Sequence, residues 1–210
     1  MNADKEKLLK YWKKDKIVKD AKILKALTDV KREEFIPDYQ KKFAYDDIPL
    51  HIGEGQTISQ PTTVAIMTQA LSPKLGEKIL EVGTGSGYQS AILSKIIGPK
   101  GKIITIEYLK ELYLFAKKNL KDFKNVSVLH GDGSKGYPKE APFDKIIVTA
   151  AASSIPKQLL GQLKTGGVLV IPVGDFIQEM QKITKTKEGL KKEKLGEFRF
   201  VPLVLEDDGK

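Results

Sequence analysis

The residues best suited to chemistry form one run, Glu81-Val82-Gly83-Thr84-Gly85-Ser86-Gly87-Tyr88. Glycines at alternate positions let the backbone turn sharply and let a ligand approach main-chain N–H groups with no Cβ in the way. Taken alone, such a turn also serves as a tight strand-to-helix connection. Its spacing is G-x-G-x-G, and Tyr88 occupies the place where the dinucleotide fingerprint G-x-G-x-x-G requires its third glycine. A pyrophosphate cofactor is therefore disfavoured. No G-x-x-x-x-G-K-[ST] is present either, so a triphosphate cradle is unsupported.

Two carboxylates follow at informative places. Glu107 closes the run KIITIE, 22 residues after Gly85, where it can accept both hydroxyls of a ribose. Asp132, in Gly131-Asp132-Gly133, follows VSVLH and is placed to reach an adenine amino group. Each could equally be a helix cap or a solvated loop residue. Three such features at successive strand ends favour a ligand, because open α/β sheets bind outside the carboxyl ends of their strands. An adenosine-bearing ligand without a pyrophosphate points to S-adenosyl-L-methionine.

The surrounding pattern supplies those strand ends. From residue 77, short apolar runs (KILEVG, KIITIE, VSVLHGD, KIIVTAA, GVLVIPVG) alternate with helical stretches near 87–97, 109–122 and 156–163. Runs apolar on nearly every residue, separated by helices, predict a parallel sheet covered on both faces. The fold class is α/β: a doubly wound, mostly parallel Rossmann-like sheet. Ahead of it, two short amphipathic helices interrupted near Asp15-Lys16, a loop or small hairpin over 44–60, and a helix from Pro61 to about Leu71 form a cap. After it, QEMQKITKTK and EFRFVPLVL alternate apolar and polar residues and predict antiparallel edge strands, with 206–210 a frayed end. The expected organisation is one domain over 1–210: a cap at 1–75, an α/β core at 76–175 that binds the nucleoside, and terminal strands at 176–205.

Composition narrows the classes further. The 210 residues contain no cysteine, which excludes a disulfide framework, a thiolate metal site and a protein thiol nucleophile, and no metal is expected. No apolar run approaches the length of about 18 residues that crosses a bilayer, and the lysine-rich start does not read as a signal peptide. A cytoplasmic protein without a membrane partner is expected. The net charge of +9 comes almost wholly from lysines spread along the chain, with arginine only at 32 and 199. Arginine is the usual reader of bases and phosphates, so this charge reads as surface solvation and no nucleic-acid partner is expected. A methyltransferase acting on nucleic acid is one rival reading, but base-carbon chemistry through cysteine is excluded, and Thr149-Ala150-Ala151 stands where amino-group methylation usually has Pro-Pro-aromatic. A non-catalytic adenosine-binding module is the other.

Over nearly its whole length the sequence also resembles the protein-L-isoaspartate (D-aspartate) O-methyltransferases. The resemblance runs through KREEFIP, DDIPLHIGEGQTISQP, ILEVGTGSGYQSAIL, VLHGDGSKGY, APFDKIIVTAA, TGGVLVIPVG and FRFVPL. It implies repair of damaged proteins by methylating the abnormal α-carboxylate of L-isoaspartyl residues; the ester then closes to a succinimide unaided. It further implies cofactor contacts at Gly83, Thr84, Gly85, Ser86, Gly87, Glu107, Tyr108, Asp132 and Gly133, and an active-site serine at Ser59. Substrate contacts would fall on Thr57 and Ser59, on Thr149, Ala150 and Ala151, and on Val201, with damaged isoaspartyl proteins as partners of a monomer. His51 stands where the family usually has proline. From its position alone, Ser59 reads as a cap for the helix starting at Pro61, and the two roles can coexist.

Overall fold

The computed structural model describes residues 3–204. Two helices open the chain, α1 (Ala3–Lys14) and α2 (Ala21–Asp29). The break between them falls at Lys16, whose φ of 56° lies in the left-handed region. Asp20 caps α2 by accepting the Lys22 N–H at 2.7 Å, and Leu8, Trp12, Ile23 and Leu27 bury the shared face. Two 3₁₀ turns (Arg32–Phe35 and Asp38–Phe43) lead to a small antiparallel hairpin, β1 (Leu50–Gly53) and β2 (Gln56–Ile58). Helix α3 (Pro61–Leu71) follows, with proline in its first turn, where a missing N–H costs nothing.

The main sheet has seven strands: β3 (Lys78–Val82), β4 (Lys102–Glu107), β5 (Val126–His130), β6 (Phe143–Val148), β7 (Leu163–Val173), β8 (Gln178–Lys185) and β9 (Leu190–Phe198). Their order is β5-β4-β3-β6-β7-β8-β9, parallel through β7 and antiparallel thereafter. Helices α4 (Tyr88–Ile97), α5 (Lys110–Asn119) and α6 (Lys157–Gln162) make the crossovers. Leu80, Val82, Ile104, Ile106, Ile146 and Val148 pack on one face with Leu159 of α6; Ile79, Ile103 and Ile147 pack on the other with Met67 of α3 and Leu93 of α4. Burial on both faces explains why these strands read as unbroken apolar runs. The order of winding reverses between β3 and β6, which opens a crevice at their carboxyl ends. Among the described residues, no helix is long and apolar enough to cross a membrane.

The last expected strand needs correction. It lies at Leu190–Phe198 and uses the lysine cluster KKEK, whereas EFRFVPLVL leaves the sheet after Phe198. Lysines 191, 192 and 194 are exposed along β9, and charged side chains of this kind disfavour edge-to-edge strand pairing. Beyond Phe198 the backbone crosses to the end of β6: Ala151 N–H donates to Val201 O at 2.8 Å, and Leu203 N–H to Ala151 O at 2.7 Å. Pro202 has no N–H to extend a ladder there. The expected frayed end at 206–210, and Leu205 before it, lie outside the described residues.

Candidate active site

The inner wall of the site is main chain. After β3 the backbone turns through Gly83 at φ 89°, and a Cβ there would sit 2.6 Å from Thr149 Oγ1. Gly87, at φ 90°, starts α4 against Leu120, whose Cγ and Cδ1 would lie 2.8 Å from a Cβ. Both positions therefore need glycine for conformation and for space. Glu107, at the end of β4, is buried and holds the turn: its Oε2 accepts Gly85 N–H at 2.8 Å and its Oε1 accepts Leu109 N–H at 3.0 Å. Each oxygen retains a further lone pair, so the carboxylate can still accept two sugar hydroxyls. Thr84 and Thr105 share a buried hydroxyl contact of 2.6 Å, and Asn119 Nδ2 fixes Ser86 O at 2.9 Å.

A cavity lies above this turn, walled by Gly83, Thr84, Gly85, Ser86, Glu107, Tyr108, Gly133 and Ala150 among others. Gly87 and Asp132 stand behind the wall. Asp132 caps the short turn that follows it, its Oδ1 accepting Ser134 N–H at 2.9 Å and Ser134 Oγ at 2.7 Å, with Lys135 Nζ 3.8 Å from Oδ2. Outside the cavity runs a groove walled by Pro49, Gln60, Thr62, Thr63, Phe198, Arg199 and Phe200. Thr57, Ser59, Thr149 and Val201 line both spaces and form the rim between them. Thr149 hydroxyl ties the end of β6 to the glycine turn by donating to Val82 O at 3.1 Å and to Gly83 O. Ala151 contributes backbone, holding the Val201–Leu203 segment in place.

Ser59 is half-buried, and its hydroxyl has no hydrogen-bond partner among the described residues. It does not cap α3. The first N–H that the helix offers, that of Thr62, goes instead to Asp47 Oδ1 at 2.8 Å. The two histidines lie off both walls; His130 Nε2 contacts Tyr108 O at 3.0 Å.

Sequence reasoning assigned no role to Glu81, although it opens the glycine run. It lines the cavity, is wholly buried, accepts the Ser90 hydroxyl on Oε2, and has no partner for Oε1. Burial pushes its carboxyl up to about 7, against the lowering effect of hydroxyls from Ser90 and Thr105, and the charge of Glu107 adds to the rise. A lone carboxylate in an otherwise apolar strand was the available signal, since such a group is costly to bury without a purpose.

A family model described as protein-L-isoaspartate (D-aspartate) O-methyltransferase matches residues 3–208. The chain belongs to this family. A protein-L-isoaspartate O-methyltransferase of Ignicoccus hospitalis is 47% identical over 211 residues, covering 99% of this chain and 100% of its own. One of the same name from Methanopyrus kandleri is 46% identical, covering 97% and 92%. Among solved structures, a protein-L-isoaspartate O-methyltransferase superposes with TM-score 0.85 at 31% identity, covering 94% of this chain and 65% of the other. A Plasmodium falciparum structure, described as a putative member in complex with S-adenosyl-L-homocysteine, gives TM-score 0.83 at 29% identity, covering 97% and 99%.

This isoaspartyl methyltransferase is thus an S-adenosyl-L-methionine-dependent protein carboxyl methyltransferase that acts on damaged proteins. Its own residues fit that cofactor. The glycine turn leaves room that a Cβ would fill, Glu107 keeps acceptors for a ribose, and Glu81 lines the cavity with one buried oxygen that has no hydrogen-bond partner. Among the described residues no group of three or more His, Asp or Glu is arranged to hold a metal ion.

Proposed function

We propose that the cavity seats S-adenosyl-L-methionine against Gly83–Ser86, Glu107, Tyr108 and Gly133, and that the groove receives the isoaspartyl peptide, with its free α-carboxylate at Ser59. The observation that carries this reading is the rim: Thr57, Ser59, Thr149 and Val201 each face both spaces. Methyl transfer needs a contact zone of this kind, open to donor and acceptor at once. Asp132 and Gly87 then act from behind the wall, one shaping the turn that carries Gly133, the other the start of α4. We take a monomer as the acting form and the cytoplasm as its place of work.

The bound cofactor supplies an electrophilic sulfonium methyl. The chain does not have to activate the nucleophile. An α-carboxyl ionises at ~3.3 to 3.7, so well over 99% is already anionic at neutral pH. That accounts for a site in which neither histidine reaches the rim. What the residues supply is placement, and fixing two reactants in a productive arrangement contributes ~7 to 11 kcal/mol in favourable intramolecular cases. Ser59 hydroxyl donates to the carboxylate and orients it without neutralising it. A guanidinium in its place would stabilise the ground state, whose charge the reaction consumes. Ala150, small, apolar and buried on the cavity wall, helps keep water from the anion, which favours a transition state in which charge is being lost. Main-chain groups at Ala151 and Val201 suit a substrate recognised by backbone, as repair of many sequence contexts requires.

The test uses two peptides of one sequence, with an isoaspartyl or a normal aspartyl linkage, and labelled S-adenosyl-L-methionine. Label is expected in the isoaspartyl peptide alone. Equal labelling of both, or of neither, would overturn the substrate assignment.

A further inference from the structure

Helix α3 begins two residues after Ser59, and its first turn is fastened from outside the local sequence. Asp47 Oδ1 accepts Thr62 N–H at 2.8 Å while its Oδ2 accepts the Thr62 hydroxyl at 2.7 Å. The same hydroxyl accepts Trp12 Nε1–H at 2.8 Å, from α1. Thr62 and Trp12 are buried and Asp47 is half-buried, so water competes little for these bonds. The segment carrying Asp47 is itself anchored: Tyr45 hydroxyl accepts Arg32 N–H at 3.2 Å and donates to Glu33, and Arg32 Nη2 points at Ile48 O, 3.4 Å away. The clamp sits immediately behind the groove, because Thr62 is on its wall and so is Pro49, two residues beyond Asp47.

Two consequences follow from the chemistry. A serine near a helix start can spend its hydroxyl on a free N–H of the first turn; the cap position of α3 is Gln60, whose side chain makes no such bond, and Ser59 precedes it. Asp47 has taken that N–H, so Ser59 Oγ is left to a ligand. Thr62 hydroxyl, donating to one partner and accepting from another, also has its rotamer fixed, and with it the register of Ser59-Gln60-Pro61 over the rim.

We propose that Asp47, backed by Trp12 through Thr62, is a positioning residue for methyl transfer: it caps α3 in place of Ser59 and holds the freed Ser59 hydroxyl at the boundary between cavity and groove. This rests on the reading of Ser59 given above. It assigns the N-terminal helix a part in catalysis although α1 reaches neither space.

The test is a double-mutant cycle on the full chain, reading kcat/KM for an isoaspartyl peptide and, by calorimetry, Kd for S-adenosyl-L-homocysteine. Asp47→Ala is expected to lower kcat/KM about tenfold or more, as loss of hydrogen bonds to a charged acceptor does. The Kd should stay within about twofold, since no cavity-lining residue changes. In a Ser59→Ala background the same substitution should cost less than about twofold, because the group it positions is gone. An equal penalty with and without Ser59, a parallel loss of cofactor affinity, or wild-type turnover of Asp47→Ala would each overturn the proposal. Should Asp47→Ala not fold, Thr62 carries the same test. Thr62→Ser keeps both donors and should retain activity; Thr62→Val removes the hydroxyl and should lose several-fold in kcat/KM only while Ser59 is present. Full activity in Thr62→Val overturns the clamp as well. Wild-type turnover of Ser59→Ala alone would instead overturn the reading on which the proposal stands, and so separates the two failures.

Discussion

The cavity and the groove share four residues, yet they are built in different ways. The cavity's inner wall is backbone, a turn made possible by Gly83 and Gly87 and pinned by Glu107 to the end of the neighbouring strand, with side chains of α3, α4 and the tail closing its other sides. The groove wall is a gathering of segments distant in sequence, namely β2, the start of α3, the end of β6 and the tail past β9. A backbone wall set by parallel strand ends is rigid and depends on conformation and space. A wall of gathered segments depends on individual side-chain bonds such as those of Asp47. The comparison says that cofactor binding should fail through steric change and that substrate positioning should fail through loss of single hydrogen bonds.

The largest effect is expected on the cavity side. In Gly83→Ala, left-handed backbone costs ~1 to 2 kcal/mol and overlap with Thr149 Oγ1 adds ~1 to 3 kcal/mol. The thermal midpoint should fall by several degrees, and calorimetry should show cofactor affinity reduced more than tenfold. A variant with unchanged midpoint and affinity would mean that the backbone wall yields easily.

Next comes Glu81, whose effect is written in pH. Its carboxyl rises from an ordinary 4.5 to about 7 in the folded protein, chiefly through burial. Folding therefore takes up a proton between those values. Stability is greatest below pH 4.5 on this account and is lost as pH rises toward 7, by at most about 3 kcal/mol, with no further loss beyond. Urea midpoints of the cofactor-free protein at pH 5 and pH 8 measure the slope. Glu81→Gln should flatten it, and a slope unchanged in that variant would remove Glu81 as its origin.

On the groove side, Ser59→Ala should cost one charge-assisted hydrogen bond, ~1.5 to 3 kcal/mol, or about 10- to 200-fold in kcat/KM. Cofactor affinity and thermal midpoint should barely move, which is the sharpest contrast with Gly83→Ala. A parallel loss of cofactor affinity would show that the two walls are not separable. The smallest effect belongs to Lys194→Gln, which breaks an exposed 2.5 Å pair with Glu179 at the sheet edge. Turnover and midpoint should stay as in the wild type. A drop in turnover would mean that β9, which leads into Arg199–Val201, controls the groove directly.

The same division explains what could be read from residues alone. Strand ends were legible because burial on both faces leaves continuous apolar runs, and Glu107 and the glycine turn followed from where those runs stop. The seven strands and the antiparallel edge agree with that reading. The cap of α3 was not legible. Local rules look within a few residues of a helix start and so select Ser59, whereas the actual donor pair is met by Asp47, 15 residues earlier. Strand β9 was misplaced for a related reason. With both faces largely exposed, KKEK carries no alternation, while Glu197–Phe200 alternates across the end of the strand and the apolar run Val201–Val204 lines the cavity rather than joining the sheet. The rim itself came from family resemblance, since no periodicity links Thr57, Thr149 and Val201.

The most direct test of the account is a crystal structure of the protein with S-adenosyl-L-homocysteine and an isoaspartyl peptide. The account predicts the ribose on Glu107, the peptide in the groove, and its free α-carboxylate within hydrogen-bonding distance of Ser59 Oγ. A nucleoside seated away from Glu107, or a peptide carboxylate turned away from Ser59 while the groove is filled, would contradict it.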